Sequence, residues 1–170
     1  MEGSMGRWGR LAALVVALEI YAGIAHAQDG GSGPRAAESL CQVSETVLFT
    51  CLIDRKIVSI CGRGQGQPVY RFGRLGRLEI EISDLHYAST GFSGGGESQV
   101  QADTPTHRYV VYAETHRTAF GADGRHDPQS STGLFVQSGG RTVSSRRCAT
   151  DPGLDGKIEA LLPAGEYGSH

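Results

Sequence analysis

Between Glu45 and Ile82 the chain reads ETVLFTCLIDRKIVSICGRGQGQPVYRFGRLGRLEIEI, and this stretch limits the fold more than any other. Val47, Phe49, Cys51 and Ile53 alternate with Thr46, Leu48, Thr50 and Leu52, and Ile57, Val58 and Ile60 follow the polar break Asp54-Arg55-Lys56. β-Branched residues crowd both arms, which is the signature of a hairpin. Val69 to Phe72 makes a third strand closed by Gly73. In a fourth, Leu78, Ile80 and Ile82 alternate with Glu79 and Glu81, the period of two that a half-buried strand requires.

The rest of the chain continues in short strands: around Val100, from Arg108 to Ala113, from Gly133 to Gln137 and from Arg141 to Cys148. Asp103-Thr104-Pro105-Thr106 and Ser138-Gly139-Gly140 supply turn residues between them. From Ser83 to Ser98, and again from Thr115 to Ser131, the alternation dissolves, and both stretches read as long loops. One short helix fits near Leu154 to Leu162, stopped by Pro163. Eight short strands with no long helix between them predict an all-β fold, an antiparallel sandwich or partly open barrel.

The opening segment has a different character. Arg7 and Arg10 precede the apolar run from Leu11 to Ile24, and Ala25-His26-Ala27 makes an A-x-A cleavage site, so residues 1–27 read as a secretory signal peptide. The run is too short to span a bilayer, which takes roughly 20 residues. The expectation is a periplasmic or secreted protein with no membrane insertion once the signal is removed. Removing those 27 residues from 170 leaves 143, enough for one core. Residues 28–40 form a Gly-rich tether, 41–150 the β domain, and 151–170 a tail holding the short helix. A formal net charge of −2 gives no reason to expect a nucleic-acid partner.

All four cysteines, Cys41, Cys51, Cys61 and Cys148, follow the signal, and an even number in an exported chain reads as two disulfides. Three connectivities are open. If the hairpin loop is Asp54 to Lys56, Cys51 and Cys61 face the same side; a loop longer by one residue puts them on opposite faces. The pairing expected here is Cys51–Cys61 with Cys41–Cys148. A zinc site lacks any C-x-x-C pair to build on.

Several constellations invite chemistry. Gly91-Phe92-Ser93-Gly94-Gly95 matches the G-x-S-x-G elbow, but that motif needs a strand before it and a helix after it, and a Gly run follows instead. Gly62-Arg63-Gly64-Gln65-Gly66 opens no helix and reads as a turn. His86, His116 and His126 lie in or beside the two loop stretches, with Asp84, Asp123 and Asp127 nearby in sequence, and are the alternative metal set of a metal-assisted hydrolase. Glu79 and Glu81 read as the wet side of a strand. Tyr70, Tyr109 and Tyr112, with Arg71, Arg108, Arg146 and Arg147, are the aromatic and cationic residues that interfaces favour.

The run LFTC…SICGRG…VYRFG…LEIEI, with the later RYVVYAE and a final strand ending in Cys148, resembles a group of small exported proteobacterial proteins to which no activity is attached. In size, compartment and architecture the chain is also similar to the periplasmic lysozyme inhibitors, disulfide-containing β proteins that insert a Ser-Gly loop and a nearby Tyr into the enzyme's cleft. That resemblance implies Ser93 and Gly94 as the inserting residues. Where the family's Tyr would stand, this chain has Glu97 or Ser98.

The sequence therefore predicts an exported, non-enzymatic binding protein with no cofactor. The candidate binding residues are Ser93, Gly94, Tyr109 and Tyr112, and the partner is an envelope protein of the lysozyme type. A metal-assisted hydrolase and a structural envelope protein are the alternatives. An exposed sheet edge would allow a dimer.

Overall fold

The computed structural model describes residues 38–170; the signal segment and most of the tether expected from the sequence lie outside them. Nine strands form two antiparallel meanders. The first sheet runs β1 (Thr46–Ile53), β2 (Lys56–Arg63), β3 (Gly66–Arg74) and β4 (Arg77–Ile82), each strand paired with the next. The second runs β5 (Leu85–Phe92), β6 (Gly95–Asp103), β7 (Arg108–Phe120), β8 (His126–Ser138) and β9 (Arg141–Arg147) in the same consecutive order. One helical turn, α1 (Ile158–Leu161), follows. Within each sheet every connection joins neighbours, so hairpin turns suffice there, and Ser83-Asp84 carries the chain from one sheet to the other.

The sheets pack face to face as a sandwich. Phe49, Cys51, Ile53, Val58, Ile60, Tyr70 and Ile82 of the first sheet meet Leu85, Val100, Ala102, Val111 and Leu134 of the second, with Ile158 and Leu162 closing the cluster. Alternation puts these side chains inward and leaves a second face on each sheet to be dealt with. Flanking chain covers part of each outer face.

On the outer face of the first sheet, Arg71 is 2% exposed. Its Nε donates to Glu81 at 2.7 Å, Nη1 to the Leu40 carbonyl at 3.1 Å and to Glu45, and Nη2 to Glu45 at 2.9 Å. The same segment is tied down by the Leu40 amide bonding Ser59 Oγ and by a disulfide from Cys41 to Cys61. On the second sheet, Glu97, Gln99 and Gln101 of β6 point outward yet are buried, because the segment after Pro163 crosses over them. Gln99 bonds both the carbonyl and the amide of Gly168 (2.6 and 3.1 Å), and Gln101 donates to the Glu166 carbonyl. His170 stacks on Tyr112 with ring centroids 4.6 Å apart, and its Nε2 lies 3.1 Å from Glu97. The same segment bonds the free edge of β5 through Tyr87, at 2.8 and 2.7 Å, which hides an edge that would otherwise pair.

The disulfides differ from the expected pairing. They join Cys41 to Cys61 and Cys51 to Cys148. The reason is the β1–β2 turn, which holds two residues rather than three: Ile53 pairs directly with Lys56, and Cys51 lies opposite Val58. Cys61 is three positions from Val58 and faces outward, whereas Cys51 faces inward. The outward thiol meets Cys41 in the covering segment, and the inward one meets Cys148 just past β9. Asp54 makes the tight turn with φ of 55°, a conformation Asp tolerates.

The two stretches read as loops are strands. β5 and β6 meet in a two-residue turn, Ser93-Gly94, with Phe92 paired to Gly95. Gly95 belongs to β6 because a Cβ there would lie 2.1 Å from the Thr115 carbonyl and 2.7 Å from the Phe92 ring. β7 and β8 extend to 13 residues each and run past the ends of β5 and β6.

Candidate functional site

Two regions of the sandwich are built unlike the rest. The first is a cleft of about 480 Å³ between the sheets, lined from the β1–β2 turn, the end of β3, the start of β7, and β8 and β9. Its apolar wall comes from Ile53, Phe72, Leu134 and Val136, with Tyr70 and Tyr109 side by side, ring centroids 5.8 Å apart. Arg55, Lys56, Arg74 and Arg146 stand around it against one acid, Asp54. Lys56 lies 2.6 Å from Glu79 and its ammonium sits 5.0 Å from the Phe72 ring centre. Among the described residues, Arg55, Arg74 and Arg146 form no ion pair.

Tyr70 is fully buried at this cleft, and its hydroxyl has no hydrogen-bond partner. Burial, with the neighbouring Tyr109 adding to it, pushes the phenol well above its ordinary range, so the group is a proton donor at any physiological pH. A buried hydroxyl with no partner carries a free-energy cost that few native groups sustain without a reason.

The second region is the far end of the five-stranded sheet. Gly94, with φ of 96°, accepts a hydrogen bond from the Arg117 amide at 2.8 Å, which ties the β5–β6 turn to the projecting β7–β8 hairpin. Phe92 and Phe120 stand here 44% and 71% exposed. Phe120 packs its ring 3.7 Å from that of His126, whose Nδ1 bonds the Thr118 carbonyl. Ser93 is exposed at the apex of the turn.

The predicted residues thus fall in three places. Ser93 and Gly94 sit at the hairpin end, and Tyr109 lies in the cleft with Tyr70 and Arg146. Tyr112 joins neither: an odd spacing of three from Tyr109 turns it to the outer face, where it is buried beneath His170. Burial raises its phenol, against an opposing pull from Arg147. Arg71 and Arg108 are consumed by ion pairs, the latter with Asp103 at 2.7 Å. Glu79 and Glu81 are exposed, as a wet strand side requires, and each also meets a cation. A bulge between Phe72 and Gly73 separates them, sending Glu81 to Arg71 and Glu79 to Lys56.

The histidines do not converge. His86 pairs with Gln101 and His116 with Gly95, six residues apart along β6 and so about 20 Å apart at strand rise. Among the described residues, the only group of three donors close enough to share an ion is Cys41, Glu45 and Cys61, and two of those sulfurs form a disulfide. No helix among the described residues is long and apolar enough to cross a membrane. Compared with known proteins, the chain matches no family model, no curated protein and no solved structure.

The sequence carried signs of both regions that a strand-by-strand reading passes over. Asp54-Arg55-Lys56 has the composition of a hairpin break, and its two cations reach the cleft. Phe92 and Phe120 lie in stretches without alternation, and each is a large apolar side chain beside a glycine-bearing turn.

Proposed function

We propose that the protein is an exported, non-enzymatic binding domain that presents the end of its five-stranded sheet to a protein partner in the cell envelope, with a lysozyme-type hydrolase as the specific candidate. The observation that carries this reading is the exposure of two aromatics at one end of the sheet: Phe92 beside the Ser93-Gly94 turn, and Phe120 on the β7–β8 hairpin that runs past it. Exposed aromatics at the narrow end of a sheet suit insertion into a partner's cleft, because they bury much apolar area with few rotatable bonds. The Arg117–Gly94 bond favours the same reading, since it holds the turn in shape before any encounter. Two disulfides suit an oxidising compartment outside the cytoplasm. The resemblance to the periplasmic lysozyme inhibitors points the same way, while of the two positions where the family's Tyr would stand, Glu97 is buried beneath the crossing segment and Ser98 is half-buried.

Lysozymes of the c, g and i types, assayed with the protein recovered after export, test this. Inhibition is expected at micromolar protein and should weaken at least tenfold in the double variant Phe92→Ser, Phe120→Ser. No inhibition of any of the three types would remove the lysozyme candidate. A pull-down from envelope extract that recovers nothing would then remove the wider reading.

A further inference from the structure

We propose that the cleft between the sheets is a second, independent site, one that binds a small amphipathic anion: an acyl or aryl body bearing a carboxylate or phosphate. The cleft's volume of about 480 Å³ falls within the range of small-molecule sites, roughly 300–1,000 Å³. Its composition names the ligand. Ile53, Phe72, Leu134, Val136 and the Tyr70–Tyr109 pair offer apolar and aromatic surface for the body. The guanidiniums of Arg55, Arg74 and Arg146, none held in an ion pair among the described residues, favour an anionic head.

Tyr70 is the observation that separates this cleft from an ordinary gap at the end of a sandwich. Its hydroxyl lies within the apolar wall, fully buried and without a partner. A phenylalanine there would fill nearly the same space without the cost of a desolvated donor. The hydroxyl can donate and does not repel a negative ligand; sealed from solvent as the cleft stands, it meets a ligand oxygen once the side chains over it shift on binding. Lys56 is less available than the arginines because Glu79 already holds it. Cationic ligands meet repulsion here, and uncharged ones forfeit the arginines, so charge selects the class. The hairpin residues of the preceding proposal, Ser93 and Gly94, take no part in the cleft, and either site can fail without the other.

Calorimetric titration of the exported protein with decanoate and with 2-naphthoate, using decanol as the uncharged control, tests the proposal. At least one carboxylate is expected to bind with one-to-one stoichiometry, at least about tenfold tighter than decanol. Preference between the two separates an acyl from an aryl source. Tyr70→Phe should weaken that binding about tenfold, and Arg146→Gln, on the exposed rim, should weaken it several-fold and reduce its sensitivity to salt. Both variants should keep the parent's far-ultraviolet circular dichroism. Neither carboxylate binding below about 1 mM, decanol binding as tightly as its acid, or Arg146→Gln leaving affinity unchanged would each overturn the assignment.

Discussion

Tyr70 and Arg71 are consecutive on β3, both buried, and they face opposite ways. Arg71 looks outward into a pocket made by Glu45, Glu81 and the Leu40 carbonyl, and donates to all three. Tyr70 looks inward to the cleft, and its hydroxyl donates to nothing. One strand therefore carries a polar group with four hydrogen bonds beside one with none. The contrast distinguishes polar groups that hold a fold together from polar groups held ready for something else. Arg71 belongs to a closed unit with a disulfide at its edge, and nothing is left over for a ligand. Tyr70 belongs to a surface with donor capacity and positive charge to spare.

The largest effect expected from breaking this contrast is at Arg71. Replacing it by Met leaves Glu45, with a side chain 5% exposed, as a buried charge without its main partner. Removing one member of such a pair typically costs about 3–5 kcal/mol. Urea unfolding of Arg71→Met should show a loss of that size with little change in m. A loss below about 1 kcal/mol would mean the cluster behaves as a surface pair, and the distinction between the two sides of β3 would fall. Replacing Glu45 by Gln as well should return part of the loss, since the stranded charge is then gone.

An intermediate effect should follow from pH. Hydrogen bonds from Arg71, with help from the Gln42 amide and Arg63, hold the Glu45 carboxyl down at about 2. Glu81 is lowered as well, chiefly by Arg71. A carboxylate whose pKa is lower folded than unfolded stabilises the fold above its unfolded value, near 4.5. That contribution fades as pH falls through the folded value. Stability should therefore decline between about pH 5 and pH 2, and the decline should be much shallower in Glu45→Gln, which has one fewer proton to take up. Thermal unfolding at half-unit pH steps reads this directly. Equal slopes for both proteins would show that Glu45 is not the group responsible.

How much of this contrast the sequence disclosed depends on what each feature rests on. The sandwich followed from alternation at Phe49, Cys51 and Ile53 and again at Leu78, Ile80 and Ile82, because burial of one face writes a period of two into the chain. The projecting part of β7 and β8 left no such trace. Water lies on both of its faces, so Arg117 to Gln129 carry no apolar alternation, and only backbone pairing makes their two arms strands. Gly95 and Gly96 looked like loop residues for a related reason: the neighbouring backbone excludes a Cβ at Gly95, which side-chain patterning does not record. The disulfide pairing turned on a single residue of turn length at Asp54-Arg55-Lys56. The alternating acid and amides at Glu97, Gln99 and Gln101 resemble a wet face in sequence. They are buried only because Gly165 to His170, far along the chain, crosses over them. The cleft is likewise assembled from five separate stretches, so Tyr70 and Arg146 meet only through the fold.

The smallest expected effect on stability is also the most discriminating. Tyr70→Phe removes a hydroxyl that has no partner, so no hydrogen bond is lost and the desolvation cost of the donor is relieved. The variant should be as stable as the parent or more stable by about 1 kcal/mol, in contrast to the large loss at Arg71 one residue away. Urea unfolding of the two variants side by side tests whether adjacent buried groups on one strand differ as their partners say they should. A loss above about 1 kcal/mol in Tyr70→Phe would mean that its hydroxyl is satisfied within the fold, and a satisfied donor gives the cleft no reason to hold one. Stability retained while carboxylate binding falls would separate the two roles cleanly: at Tyr70, a polar group kept at a cost to the fold and recovered only when a ligand arrives.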